Sequence, residues 1–254
     1  MDPKVRKTLV EYADRYETTS FLDGDPSWFM HHVEGDANRE ATAFVASGLS
    51  FGNRSQFMEK IRWLVARAGG DMDRWIRKGG FERDLPADGS GCFYRFFKTC
   101  DMNAFLRAYR SLMDEFGTLG EYVRSEAGGD GFGAVDAICR RFALRESGGV
   151  VPKDAKSACK RVCMFLRWMV RTGSPVDLGL WANAVDRATL VMPLDTHVVR
   201  QARRLGLLTG QCASMCAARR LSAVLAEVFP GDPLRGDFAL FGYGVNEHAR
   251  RGGE

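Results

Sequence analysis

Apolar residues recur along much of the chain at intervals of three and four, the spacing of one helix face. Residues 3–17 place Val5, Leu9, Tyr12 and Tyr16 on such a face, and 38–50 place Ala41, Phe44, Val45 and Leu49, ending at Gly52. Asn53 with Gln56 reads as a capping box opening a helix that buries Phe57, Ile61, Leu64 and Val65. Gly69-Gly70 stops it, and Asp71 caps a short segment with Trp75 and Ile76. The Gly-, Asp- and Pro-rich stretch 79–91 is expected as a loop. Asp101 is expected to open a helix carrying Phe105, Leu106, Tyr109, Leu112 and Met113, with shorter helices near 119–124 and 132–142. Gly148-Gly149 and Pro152 break the chain before a long helix over 154–171. Pro175 and Pro193 bound an irregular stretch containing Trp181; Asp195 starts the next helix, and Ser214 and Asp232 precede the last two. No β-branched alternation is long enough for a strand. The pattern predicts an all-α fold.

Composition changes this picture little. A chain of 254 residues with 45% apolar and 27% charged residues suits one or two globular domains with a sizeable core. No apolar run approaches the roughly 20 residues that span a bilayer. The segment MDPKVRKTLVEYADRYE has no apolar stretch ending in a cleavage site, so a cytoplasmic, unsecreted protein is expected. Its seven cysteines form no CxxC pair, and reduced thiols without an iron–sulfur cluster are expected. Charge is more informative in its distribution than in its total of +4. Residues 140–171 hold nine Lys or Arg against Glu146 and Asp154, and Arg200, Arg203, Arg204, Arg219 and Arg220 continue the excess. That suits a phosphate backbone, although a solvated helix face has the same composition.

Three local patterns carry candidate chemistry. Lys160 lies in SACKRVCMFLRWMVR, whose apolar face is Val162, Phe165, Leu166, Met169 and Val170. A lysine in the first turns of a helix can point into a cleft, and a desolvated, basic cleft favours the neutral, nucleophilic amine. Alone, it is most simply one more surface lysine. The second pattern is Pro193-Leu194-Asp195-Thr196-His197-Val198-Val199-Arg200, where Asp195 falls at a helix start and its carboxylate can accept backbone N–H groups. Alone, it is a helix cap worth about 1 kcal/mol. The third is Asp237-Phe238-Ala239-Leu240-Phe241-Gly242, which puts Asp237 and Phe241 on one helix face.

Taken in order, a lysine followed by a helix-opening LDTHVVR segment resembles the helix-hairpin-helix DNA glycosylases, which include endonuclease III and the 8-oxoguanine glycosylases. The match PLDTHVVRQARRLGLL rests on Asp195, Thr196, His197, Val198, Arg200 and the Arg204-Leu205 pair. The archaeal 8-oxoguanine glycosylases are most similar: they share a long insertion between lysine and aspartate and a K-x6-[KR] helix matched by Lys160 and Arg167. The chain also resembles an uncharacterised bacterial family that shares the MFLRWMVR and PLDTHV segments. The usual L-P-G-V-G-x-K-T-A hairpin is absent, and Gly148-Gly149-Val150-Val151-Pro152 with 153–158 stands in its place.

The resemblance implies a two-lobed helical fold with a central cleft, formed as one domain over 1–254 with lobes near 35–145 and near 1–34 plus 146–250. It implies base-excision repair of duplex DNA carrying a damaged base, with 8-oxoguanine the expected lesion. Lys160 would be the nucleophile at C1′ of a flipped nucleotide and Asp195 its carboxylate partner, giving glycosylase and AP lyase activity. Asp237 and Phe241 would hold the extruded base, the alternative being a capped terminal helix that packs Phe238 and Phe241 into the core; Trp181, outside the resemblance, either contacts the base or fills the core. Lys153, Lys156, Arg161 and Arg167 would be phosphate-binding or support residues, and Asn53, Arg54 and Gln56 are candidates to fill the gap left in the duplex. No metal or other cofactor is expected, and a monomer is. Two alternatives remain: an inactive helical DNA-binding module, and a glycosylase for another damaged base. His31-His32 with Asp36 lacks the further ligands of a metal site.

Overall fold

The computed structural model describes residues 1–145 and 147–251, with 245–251 given by their backbone alone. Thirteen α-helices and one two-stranded ribbon occur among them. In chain order they are α1 (Pro3–Tyr16), α2 (Trp28–His31), α3 (Asp36–Leu49), α4 (Arg54–Arg67), α5 (Met72–Arg77) and α6 (Phe81–Asp84). The ribbon follows as β1 (Cys92–Tyr94) and β2 (Phe97–Lys98). Then come α7 (Thr99–Phe116), α8 (Leu119–Glu126), α9 (Gly131–Leu144), α10 (Lys160–Val170), α11 (Thr196–Arg204), α12 (Met215–Ala226) and α13 (Arg235–Arg251). None of the described helices is long and apolar enough to cross a membrane.

The chain divides into two compact units. One contains residues 1–23, 130–132 and those from Lys156 onward; the other contains 24–129 and 133–155. In the second unit α3 is the central helix, buried over nearly its whole length and packed on α2, α4 and α5. Its Phe44 ring meets Phe105, Tyr109 and Phe142 at centroid distances of 5.4, 5.0 and 5.1 Å. A helix this buried can carry polar residues only if they are satisfied. Glu40 accepts the N–H of Leu119 at 2.8 Å and of Gly120 at 3.2 Å, placing a carboxylate at the start of α8. Asn38 donates to the Gly70 carbonyl and accepts the Met72 N–H, tying α3 to the α4–α5 turn.

In the first unit α1 and α11 both pack on α13. Phe238 is fully buried and meets Phe21 edge-on at 4.9 Å. Gly242 lets α13 approach α1, because a Cβ there would collide with the Tyr16 ring.

The predominance of helix agrees with the hydrophobic pattern, and four local expectations need correction. The helix expected from 154 starts at Lys160. Ser157 pairs with Ser214 in an isolated bridge, and Cys159 takes a left-handed conformation (φ 45°), so the backbone turns before becoming helical. Asp101 does not open α7 but is its third residue, within the first turn, where its carboxylate accepts the Lys98 N–H at 2.7 Å. The loop expected over 79–91 contains α6, anchored by fully buried Phe81. Finally, the aromatic run Cys92–Lys98 forms the unforeseen ribbon.

Candidate active site

Lys160 is the first residue of α10, and Asp195 caps α11. Asp195 is extended, and its Oδ1 accepts the N–H groups of His197 and Val198, both at 2.9 Å. Its other oxygen, Oδ2, lies 2.9 Å from Lys160 Nζ. The two side chains are 37% and 28% exposed, so the pair is shielded yet reachable. Burial pushes the Asp195 carboxyl up, but Lys160, the Val198 N–H and His197 together hold it below the ordinary carboxylate value. Asp195 therefore remains an anion beside the amine.

Asp237 on α13 belongs to the same electrostatic group. Burial raises its carboxyl above the ordinary value against the charges of Arg167 and Lys160, and the Asp195 charge raises it further. Phe241, one turn on, is 37% exposed, and its ring meets Phe21 and Tyr16 edge-on at 4.9 and 5.8 Å. The face of α13 shared by Asp237 and Phe241 thus combines a hydrogen-bonding carboxylate with a partly open aromatic ring.

Beneath this face runs a chain of buried ion pairs. Arg167 donates to Asp237 through Nη1 and to Asp177 through Nε at 3.1 Å. Arg171, 1% exposed, donates to Asp177, to both oxygens of Asp232 and to Glu17 at 2.7 Å. Arg235 extends the chain to Glu17 at 2.9 Å and to Asp14. Burial works against the Arg171 charge, but Asp232, Asp177 and Glu17 outweigh it and raise its pKa. Burial raises the Asp177 carboxyl despite two arginine partners. Arg167 and Arg171 also lie over the Phe238 ring, at 4.7 and 5.4 Å.

Arg167 and Trp181 each take the buried one of their two expected roles. Arg167 is only 3% exposed and clamped by two carboxylates, so it positions Asp237 instead of meeting a DNA phosphate. Trp181, also 3% exposed, packs edge-on against Phe165 at 5.1 Å and is a core residue, not a base contact. Arg161 is half-buried, and burial lowers its guanidinium to about 10. Lys156 is exposed in the first unit. Asn53, Arg54 and Lys153 are exposed and belong to the second unit. There Asn53 caps α4 through the Gln56 N–H, and Lys153 borders a groove of about 570 Å³ with Gly148 and Gly149. Glu17, Arg171, Asp177 and Asp232 were not foreseen as site residues. Two arginines one turn apart on the apolar face of FLRWMVR were the available signal, since a buried arginine demands carboxylates. The described residues contain no cluster of three or more metal-ligating side chains.

Residues 25–246 match a family model described as "Protein of unknown function (DUF2400)". The chain belongs to the DUF2400 family. No curated protein and no solved structure matches it significantly. In this DUF2400 protein Lys160, Arg167, Asp177, Asp195 and Asp237 all fall inside the matched region, whereas the whole of α1 precedes it.

Proposed function

We propose that this DUF2400 protein is a base-excision DNA glycosylase with AP lyase activity, built as a two-lobed helix-hairpin-helix fold and acting on duplex DNA. The observation that carries the reading is the 2.9 Å pairing of Lys160 Nζ with Asp195 Oδ2 at a partly open surface. Simple stabilisation is a poor reason for such a pair, since exposed ion pairs contribute about 0–1 kcal/mol. An amine beside a carboxylate that is ionised at neutral pH is what covalent chemistry at an anomeric carbon needs: once deprotonated the amine attacks, and the carboxylate faces the developing positive charge.

The damaged nucleotide rotates out of the duplex, because C1′ is shielded within the stack. Lys160, having released its proton to solvent, attacks C1′ with its lone pair as the N-glycosidic bond breaks and that bond's electrons leave with the base. Asp195 stabilises the positive charge that develops on the sugar and then on the nitrogen. Ring opening gives a Schiff base between Lys160 and C1′. Loss of a C2′ proton then expels the 3′ phosphate, and hydrolysis frees the lysine. Asp237 accepts hydrogen bonds from the N1–H and exocyclic amine of a guanine-type base, with Phe241 against its ring. That pairing fits any guanine-type base, and 8-oxoguanine is the lesion proposed because the LDTHVVR segment resembles that of the 8-oxoguanine glycosylases.

Borohydride reduction with 8-oxoguanine duplex and with abasic duplex tests this reading. Wild-type protein is expected to give a stable protein–DNA adduct, and Lys160→Ala to give none. An adduct undiminished in Lys160→Ala would overturn the assignment, and DNA binding with no adduct would point to an inactive binding module.

A further inference from the structure

Phe96, at the tip of the β1–β2 ribbon, is 67% exposed. Tyr94 and Phe97 are paired across the ribbon, so Arg95 and Phe96 form its turn. Arg95 has a positive φ of 53°, a conformation that costs a non-glycine residue free energy and needs support from its surroundings. The support is visible. The Tyr94 hydroxyl donates to the Phe51 carbonyl. The Arg95 guanidinium lies 5.8 Å above the Phe51 ring and across Gly52, where a Cβ would come within 2.5 Å of Arg95 Nη1. The Phe96 ring itself rests on Phe97 at 4.7 Å and Phe51 at 5.2 Å. An aromatic side chain is thus presented outward on an aromatic base.

Its surroundings specify the occupant. Arg95 and Lys98 are exposed on the ribbon, exposed Arg54 follows two residues after the Gly52 that Arg95 lies across, and Asp101 is engaged by the Lys98 N–H. No other large apolar residue of the ribbon is exposed among the described residues, whereas protein-docking patches extend over hundreds of square ångströms. One open ring among cations matches one base and its flanking phosphates.

We infer that the β1–β2 tip is a nucleobase-stacking surface, on which Phe96 takes an unstacked DNA base while Arg54, Arg95 and Lys98 hold neighbouring phosphates. The inference rests on DNA being the substrate. It is tested by fluorescence anisotropy with a labelled duplex containing one unpaired nucleotide, beside the fully paired duplex. Wild type is expected to prefer the unpaired site. Phe96→Ala should weaken that binding about tenfold and Phe96→Trp should preserve it, with paired-duplex affinity nearly unchanged. Equal binding of the unpaired site by wild type and Phe96→Ala would overturn the inference. So would a dimer that Phe96→Ala dissociates in sedimentation, since the ring would then serve a second copy. Borohydride trapping in parallel separates the two proposals. An intact Lys160 adduct without any stacking effect removes this surface alone, whereas stacking without an adduct removes the glycosylase reading alone. Absence of DNA binding removes both.

Discussion

The carboxylate of Asp195 divides its work between two oxygens: Oδ1 takes the helix N–H groups and Oδ2 faces Lys160. This division separates structural from chemical roles at single residues. Lys160→Ala removes only a partly exposed ion-pair partner, so we expect its stability to fall by no more than about 1 kcal/mol while trapping is abolished. Asp195→Asn keeps a helix cap but loses the anion, and adduct formation should slow roughly 10²–10³-fold, as measured by single-turnover trapping. The same substitution has a pH signature. The folded Asp195 value lies below 3.8, so its stabilisation is present above that pH and lost as pH falls through the folded value. The Tm difference between wild type and Asp195→Asn should therefore be largest near neutral pH and vanish on acidification. A difference that grows in acid would contradict the ionised assignment.

At the scale of elements, α10 joins the surface pair to the buried ion chain, because Lys160 begins it, buried Arg167 lies within it and buried Arg171 caps its end. Arg171→Met leaves Asp177, Asp232 and Glu17 without their shared cation. We expect a loss of about 3–5 kcal/mol in urea unfolding. Arg171→Lys should recover only part of it, because an ammonium cannot reproduce the guanidinium fork. The apolar face of α10 and the Asp195 cap were legible because each is encoded within a few residues. The ion chain was not: the Arg171 partners lie 6, 61 and 154 positions away, brought in only by folding. The true start of α10 was equally hidden, since the Ser157–Ser214 bridge that delays it depends on a segment far along the chain. The ribbon escaped because CFYRFFK lacks both alternation and a glycine turn, and is held by contacts to the Phe51–Gly52 turn.

At the scale of the whole molecule, the basic bias of the C-terminal half suits a polyanion, although its net charge of +4 is modest. Lys156 and Arg200 are both exposed in the first unit. If they meet phosphates, Lys156→Gln or Arg200→Gln should each reduce the slope of log affinity against log salt by about one. An unchanged slope in both would place the DNA elsewhere. Peptide mapping by mass spectrometry of the borohydride-reduced complex with abasic duplex identifies the attacking amine itself. A sugar-derived mass on Lys160, with no adduct in Lys160→Ala, is the expected result. A modification carried by another lysine or by the N-terminal amine, with Lys160 unmodified, would contradict it.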